Sequence, residues 1–405
     1  MRVLMLSWEY PPHLVGGMGK HVAELVPALG TAGIEVHLVT PDLRGGPSEE
    51  HVAPNATIYR VPTPDMTADY HGFVPFAQTS NSSLERKAKE LDERLGGFDL
   101  VHAHDWLVGY SGVALKYASR LPLVATIHAT ERGRGQGHLL NEQARAINGT
   151  EWWLTFEAWR VITVSHFMAA QLNQYFGLPE GKVSVIHNGV SLPVTPHLTM
   201  EQRQAFRQRF APDDHQIVFY VGRVVYEKGI HVLIEAATRI QATNPCIRFI
   251  VAGTGAYLEH SQQYAQDMGV ADLFTFTGFV PDDERDSLFQ VADVAVFPSL
   301  YEPFGIVALE AMSYHCPVVV AATGGLQEVV QLHETGMTAH VGNPESLAWA
   351  ISHTLTHPDW ARKRAENAFL EVQKLYTWDH IAAQTIAVYR QVKDEWQASD
   401  WGHHQ

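Results

Sequence analysis

The sequence predicts an α/β protein built from two doubly wound parallel sheets, and three observations carry that expectation. Short apolar runs, each closed by a polar or glycine-bearing residue, alternate with stretches of helical periodicity. The alternation restarts after a seam, and the two halves open alike. VLMLSWEYPPHLVGGMGKHVAELVPAL and VFYVGRVVYEKGIHVLIEAATRI each read as strand, glycine or basic loop, then amphipathic helix. A chain of 405 residues is also too long for one ordinary core.

Val3–Ser7 reads as the first strand, and a helix pattern runs from about Gly19 to Ala32. Val36–Thr40, Leu100–His104, Leu123–His128 and Val161–Val164 repeat the short apolar pattern. The stretch from Gly45 to Ser83, rich in Pro, Thr, Asn and Ser, reads as loops and short strands. His187-Asn188-Gly189-Val190 reads as a strand end, and Ser191–Thr199, with two prolines and no clear period, is the seam. This places one domain at 1–192 and a second at 193–376. Strands follow at Ile217–Val221, Arg248–Ala252, Phe274–Thr277, Val294–Pro298 and Val318–Ala321. The tail has helical spacing at Trp378, Ile381, Ile386, Tyr389 and Trp396, with Gly402–Gln405 expected to fray.

Composition narrows the function classes. At 46% hydrophobic and 18% charged the chain is globular rather than disordered. Its 29 Lys plus Arg against 44 Asp plus Glu leave a formal charge of −15, which argues against nucleic acid as the main partner, and no basic amphipathic helix suggests docking on anionic lipid. Arg203, Arg207 and Arg209 read as a solvated helix face. Cys246 and Cys316 supply neither a disulfide framework nor a metal quartet, and a reducing cytoplasm fits them. Met1–Ser7 reads as a strand and not a signal peptide, and no apolar run approaches the roughly 18 residues of a membrane span. Oligomeric state is not readable from these features.

The most informative segment is Tyr301–Glu310, Y-E-P-F-G-I-V-A-L-E, directly after an apolar strand. Pro303 and Gly305 suit a turn into a helix whose free N–H groups could meet an anion, with close backbone approach at Gly305. Eight residues of helix would separate Glu302 from Glu310 by about 12 Å. A glycosidase pair stands about 5–9.5 Å apart, so these carboxylates suit two ends of one long ligand better. Gly16-Gly17-Met18-Gly19-Lys20 opens a helix after the first strand and lacks the G-x-x-x-x-G-K-[ST] pattern; its glycines allow phosphate approach. Arg223 and Lys228 flank the loop after Phe219–Gly222. Either they form surface ion pairs, Arg223 with Glu227, or they hold a diphosphate; their shared strand end with Glu302 favours the latter.

Gly253-Thr254-Gly255 is a lone G-x-G, equally consistent with packing and with a nearby phosphate. His102 and His104 alternate onto one strand face, but no compact acidic set follows, so no metal is expected. Asp105, just past that strand, suits a hydrogen-bond acceptor for a polar substrate. His128 either donates to a sugar hydroxyl or caps a core. No G-x-S-x-G elbow supports serine hydrolysis. No Asp-x-Asp pair offers to hold a metal–diphosphate, so a bound pyrophosphate would be neutralised by Arg223, Lys228 and helix termini.

Taken together, the two glycine-loop halves, G-R-x-x-x-E-K-G at Gly222–Gly229 and the E-x7-E segment resemble the family 4 retaining glycosyltransferases of GT-B fold. The likeness covers nearly the whole chain. VHAHDW, TIHATERGR and YEPFGIVALEAM are most similar to the bacterial and archaeal glycogen (α-glucan) synthase type. The resemblance implies two Rossmann-like domains facing across a cleft. The first would bind acceptor and the second a UDP- or ADP-sugar, with the helix within 377–405 crossing back onto the first. It implies a retaining hexosyltransferase, best matched to an α-1,4-glucan acceptor, with no cofactor beyond the sugar nucleotide. Disaccharide-forming, small-molecule and lipid transferases, a sugar-nucleotide 2-epimerase and a non-catalytic carbohydrate binder are the alternatives.

Residue by residue, the resemblance implies that Arg223 and Lys228 contact the diphosphate and that Glu302 holds donor-sugar hydroxyls with the backbone of Phe304, Gly305 and Ile306. Glu310 would accept from the ribose, and the backbone at Gly278, Phe279 and Val280 would meet the base. Gly16 and Gly17 would approach the phosphate or sugar from the other domain, Gly222, Gly253 and Gly255 would belong to the donor site, and His128 and Asp105 would line the sugar and acceptor. His187 stands where relatives commonly carry proline, and Leu14-Val15-Gly16-Gly17 replaces the synthases' Lys-x-Gly-Gly.

Overall fold

The computed structural model describes residues 1–64, 72–193 and 198–402. It divides into two compact units, Met1–Gly189 with Trp378–Gln405, and Val190–Thr377. Parts of the loop region (65–71), of the seam (194–197) and the last three residues of the tail lie outside the described residues.

In the N-terminal unit, β1 (Arg2–Leu6), β2 (Glu35–Asp42), β3 (Glu49–Ala53), β4 (Ala56–Pro62), β5 (Leu100–His104), β6 (Leu123–Ile127), β7 (Arg160–Thr163) and β8 (Val183–Val185) form one sheet. Its order is β3-β4-β2-β1-β5-β6-β7-β8. Of the pairings between these strands, only β3–β4 is antiparallel. β5 and β6 are buried along their whole length, as strands covered on both faces must be. The order reverses between β1 and β5, which opens a crevice beyond their carboxyl ends. β8 ends at Val185, so His187–Val190 is not the end of a strand.

The helix Gly17–Thr31 lays Met18, His21, Val22, Leu25, Val26 and Leu29 on this sheet, the helical spacing of one apolar stripe. The terminal helix Trp378–Gln397 packs beside it and adds Ile381, Ile386, Val388, Tyr389 and Val392 to the same core. Burial of each large side chain is worth about 1.5–3 kcal/mol, so this helix is integral to the unit. Phe73–Ser83 is not loop, as its composition suggested, but opens the helix Phe73–Leu95. Its polar Ser80 and Asn81 are buried and satisfied: Ser80 donates to the Phe76 carbonyl, and Asn81 bonds Ala77, Leu107 and Ser111.

In the C-terminal unit, β9 (Gln216–Val221), β10 (Ile247–Ala252), β11 (Phe274–Gly278), β12 (Val294–Phe297), β13 (Val318–Ala321) and β14 (Met337–Ala339) form an all-parallel sheet. Its order is β11-β10-β9-β12-β13-β14, and here the reversal lies between β9 and β12. Arg207 does not face solvent. Its guanidinium pairs with Asp293 at 2.8 Å and donates to the Val291 and His215 carbonyls, tying the helix Met200–Arg207 to the sheet. Cys316 is buried and Cys246 partly so; both thiols are free.

Candidate active site

Both switch points carry the polar loops that the sequence singles out. In the C-terminal unit, β9 and β12 are neighbours, so the loops that follow them must meet. Three local features set how closely. The one-turn helix Tyr226–Lys228 ends at Gly229, whose φ of 71° is left-handed and whose missing Cβ leaves room for the Pro298 carbonyl. The Glu227 carbonyl accepts from Leu300 N–H at 2.8 Å. Together these bring Lys228 Nζ to 2.6 Å from Glu302 Oε2, a pair whose side chains are only 18% and 11% exposed. Ser299 Oγ donates more weakly to the same carboxylate oxygen, at 3.4 Å.

Glu302 itself lies outside the helix, which begins at Ile306. The two carboxylates are therefore not joined by eight continuous helical residues, and the 12 Å axial spacing does not apply. Gly305 is why the helix starts late: its φ is 107°, and an added Cβ would come within 2.5 Å of Leu326. Gly325 N–H donates to the Glu302 carbonyl at 2.9 Å and holds the 302–305 loop from the far side. Phe304 is buried, and Ile306 opens the helix with its N-terminal N–H groups.

Arg223 is the exposed member of the group. Its side chain is 47% exposed and reaches Glu227 only at 3.8 Å, a weak surface contact. Glu310 is buried on the helix Ile306–Ser313, with Arg285 Nη1 at 3.9 Å from its Oε1. Arg285 also bonds Asp282 and Asp286, and nothing in its DDERD surroundings marks it as the neighbour of Glu310. Gly222, Gly253 and Gly255 have a packing reason to be bare. A Cβ on Gly253 would strike the Gly222 carbonyl, and one on Gly255 the Val224 carbonyl, while Val224 N–H donates to Thr254 across the same contact. Phe279, at the end of β11, is 79% exposed, with Val280 partly so.

In the N-terminal unit the switch point gathers Glu9, Gly16, Asp105 and His128. Asp105 adopts φ 59°, ψ 175°, a strained setting for a residue with a Cβ. Its Oδ1 accepts from His128 N–H at 2.7 Å, which pins the end of β5 to the end of β6. Burial pushes the Asp105 carboxyl up to about 7, with Arg134 and the His128 N–H pulling the other way. Burial, and then the charge a protonated His21 would add, hold the His128 imidazole well below its ordinary range. At neutral pH His128 is a neutral hydrogen-bonding group and not a cation. Gly16 N–H and Val15 N–H both donate to Glu9 Oε2, at 3.0 and 2.8 Å, so a carboxylate already caps the glycine loop. Gly17 begins the helix.

Two further groups escape a linear reading. Glu151 is buried, accepts from Glu131 N–H at 2.9 Å, and burial pushes its carboxyl up to about 8. His21 converges with His104 and His128, their candidate ligand atoms lying within 4.8 Å of one another. Among the described residues this trio is the buried group best able to hold a metal. A tetrahedral zinc with bonds of about 2.05 Å sets nitrogens about 3.4 Å apart, and His104 Nδ1 and His128 Nε2 already stand 3.1 Å apart. His102 is committed elsewhere, bonding Tyr389 Oη at 2.6 Å and Thr126 Oγ1 at 2.7 Å.

Two doubly wound parallel sheets with polar loops beyond both switch points, one bearing a buried lysine–glutamate pair beside an exposed arginine, are the architecture of a GT-B glycosyltransferase. Comparison with known proteins makes the class specific. Residues 15–193 match the family described as Glycosyltransferase Family 4, and residues 201–370 the one described as Glycosyl transferases group 1. An uncharacterized glycosyltransferase of Methanocaldococcus jannaschii is 36% identical over 396 residues, covering 96% of this chain and 98% of the relative. Glycogen synthase of Mycobacterium tuberculosis is 34% identical over 403 residues, covering 97% and 95%. Among solved structures, sucrose-phosphate synthase from Thermosynechococcus elongatus superposes with a TM-score of 0.82 at 28% identity, covering 97% of this chain and 99% of that one. The chain belongs to the family 4 glycosyltransferases. Among the described residues no helix is long and apolar enough to cross a membrane.

Proposed function

We propose that this enzyme is a retaining hexosyltransferase that moves a glucosyl or related unit from a UDP- or ADP-sugar to a hydroxyl of a soluble α-1,4-glucan. The observation that carries the donor reading is the Lys228–Glu302 pair at the β9/β12 switch point, with Arg223 exposed close by in sequence and Glu310 buried on the following helix. In this reading the C-terminal unit is the donor domain. Lys228 and Arg223 meet the diphosphate, Glu302 and the Phe304–Ile306 backbone meet the sugar, Glu310 meets the ribose, and the Gly278–Val280 backbone meets the base. Gly222, Gly253 and Gly255 belong to the same donor loops. The N-terminal unit, with the 377–405 tail, takes the acceptor at Asp105 and contributes Gly16, Gly17 and His128.

Breaking the anomeric bond leaves an oxocarbenium-like sugar and a diphosphate. Fixed cations lower that barrier because they need no reorganisation as the negative charge develops. Glu302 anchors Lys228 at 2.6 Å and so keeps the ammonium in place before the charge appears. Attack on the same face retains configuration, with the leaving phosphate oxygen taking the acceptor proton. The similarity to glycogen synthase supports the glucan. The likeness to sucrose-phosphate synthase supports a second reading, a disaccharide-forming transferase.

The deciding experiment is a matrix of UDP-, ADP- and GDP-sugars against glucan, disaccharide and small-hydroxyl acceptors, read by nucleotide diphosphate release and product mass. A glucan extended one hexose at a time supports the proposal. Donor conversion without acceptor would reveal an epimerase, and no donor consumed in any combination would remove the catalytic reading.

A further inference from the structure

His21 is a buried side chain that touches three functionally distinct places in the N-terminal unit. It is 4% exposed on the helix Gly17–Thr31. Its Nδ1–H donates to Asn188 Oδ1 at 2.7 Å; an amide oxygen only accepts, so this bond fixes the tautomer. Its ring meets the His128 imidazole edge-on, centroids 4.7 Å apart and planes at 71°. The same ring meets Trp378 at 5.4 Å and 76°. Asn188 and Gly189 are the last residues before the chain leaves this unit, and Trp378 is the first on its return. The two crossings are themselves packed together: a Cβ on Gly189 would stand 2.7 Å from the Trp378 ring.

We infer that His21 is a positioning residue that holds the His128 imidazole in register with both chain crossings. A turn of the backbone at Asn188–Gly189 pulls on the His21 ring through a direct hydrogen bond, and the His21 ring bears on His128. The chemistry of the position argues for such a link. His21 Nε2 is buried without a hydrogen-bond partner, a costly arrangement that a phenylalanine of similar size would avoid while filling the same space. What phenylalanine cannot supply is the N–H to Asn188.

The inference rests on the reading that His128 takes part in sugar transfer, and the test separates the two. His21→Phe and Asn188→Ala are each expected to lower kcat about 10–100-fold, the scale of a small misplacement of a reacting group. Donor KM stays within about threefold. The double variant falls no further than the worse single one, because both remove the same link. His21→Asn, whose amide nitrogen can occupy the Nδ1 position, regains about tenfold in kcat over His21→Phe. Independent, multiplicative losses, or unchanged kcat in a folded His21→Phe protein, would overturn the link.

A second readout needs no turnover. Long-range nitrogen NMR of the wild-type protein should show His21 protonated at Nδ1 and bare at Nε2, and Asn188→Ala should shift the His128 ring signals. The opposite tautomer, or unmoved His128 signals, would sink the inference even if transfer is confirmed. Should no sugar nucleotide be turned over, the proposed function fails while the NMR measurement still decides the link.

Discussion

Replacing Lys228 with alanine separates its structural role from its catalytic one. The ammonium is bonded at 2.6 Å to Glu302, and both side chains are largely shielded from water. Deleting one partner of such a pair strands the other charge and costs about 3–5 kcal/mol. For a unit of this size that lowers Tm by roughly 10 °C. The catalytic loss has a different origin. A unit charge about 4 Å from charge developing on a phosphate, at an effective dielectric of about 20, is worth about 4 kcal/mol, or about 10³ in rate. The two effects part company in the double variant Lys228→Ala/Glu302→Gln. Removing the stranded carboxylate should restore most of the Tm and none of the turnover. Thermal unfolding with nucleotide-release kinetics, on the two single variants and the double one, reads both quantities. If turnover returns together with stability, or if folded Lys228→Ala turns over at near the wild-type rate, Lys228 is a packing residue and the diphosphate assignment is wrong.

Arg223 should behave in the opposite way: with its side chain 47% exposed and Glu227 no nearer than 3.8 Å, Arg223→Ala leaves Tm within about 2 °C but raises donor KM and lowers kcat by at least about tenfold. Equal donor kinetics in the variant would leave Arg223 as a surface residue. Glu151 makes a pH prediction. Its carboxyl is raised from 4.5 to about 8 in the folded protein, so its contribution is full below about pH 4.5 and lost as pH rises through 8. Glu151→Gln, which cannot ionise, should therefore gain on the wild type by about 1.4 kcal/mol for each pH step of one between about pH 5 and pH 8. Urea denaturation at both pH values measures the gain, and a pH-independent difference would contradict it. Finally, sugar transfer should survive dialysis against EDTA, because Arg223 and Lys228 carry the charge of the leaving group. Loss of turnover restored by a divalent cation would show that they do not.

How far the sequence led can be judged element by element. Strands such as Leu123–Ile127 and Val294–Phe297 were legible because a doubly covered parallel strand must be apolar throughout. The helix Phe73–Leu95 was not, because its buried face uses Ser80 and Asn81, whose polarity mimics a loop until their partners are known. At the C-terminal switch point, Arg223, Lys228, Glu302 and Glu310 stood out through their spacing within two short motifs. Their pairing did not: that Lys228 bonds Glu302 depends on β9 and β12 being neighbours, which no local pattern states. The same holds for the histidines. His102 and His104 were readable as one face of a strand, whereas the approach of His21 and His128 requires the β1-β5-β6 order. Glu9 went unseen because its role is to receive the N–H groups of the glycine loop, a task any nearby carboxylate can fill.

The discontinuous build of the N-terminal unit has a consequence for how the protein is made. Val190–Thr377 is one uninterrupted stretch whose two ends are already joined, Val190 N–H donating to the Tyr376 carbonyl at 2.7 Å. It can close its sheet as soon as it leaves the ribosome. The unit that is translated first cannot, because Tyr389, which binds His102, and the apolar face around Ile386 arrive with the last helix. The N-terminal half must wait for the helix Trp378–Gln397 to be made, holding an incomplete core in the meantime, so removing that helix would strand it.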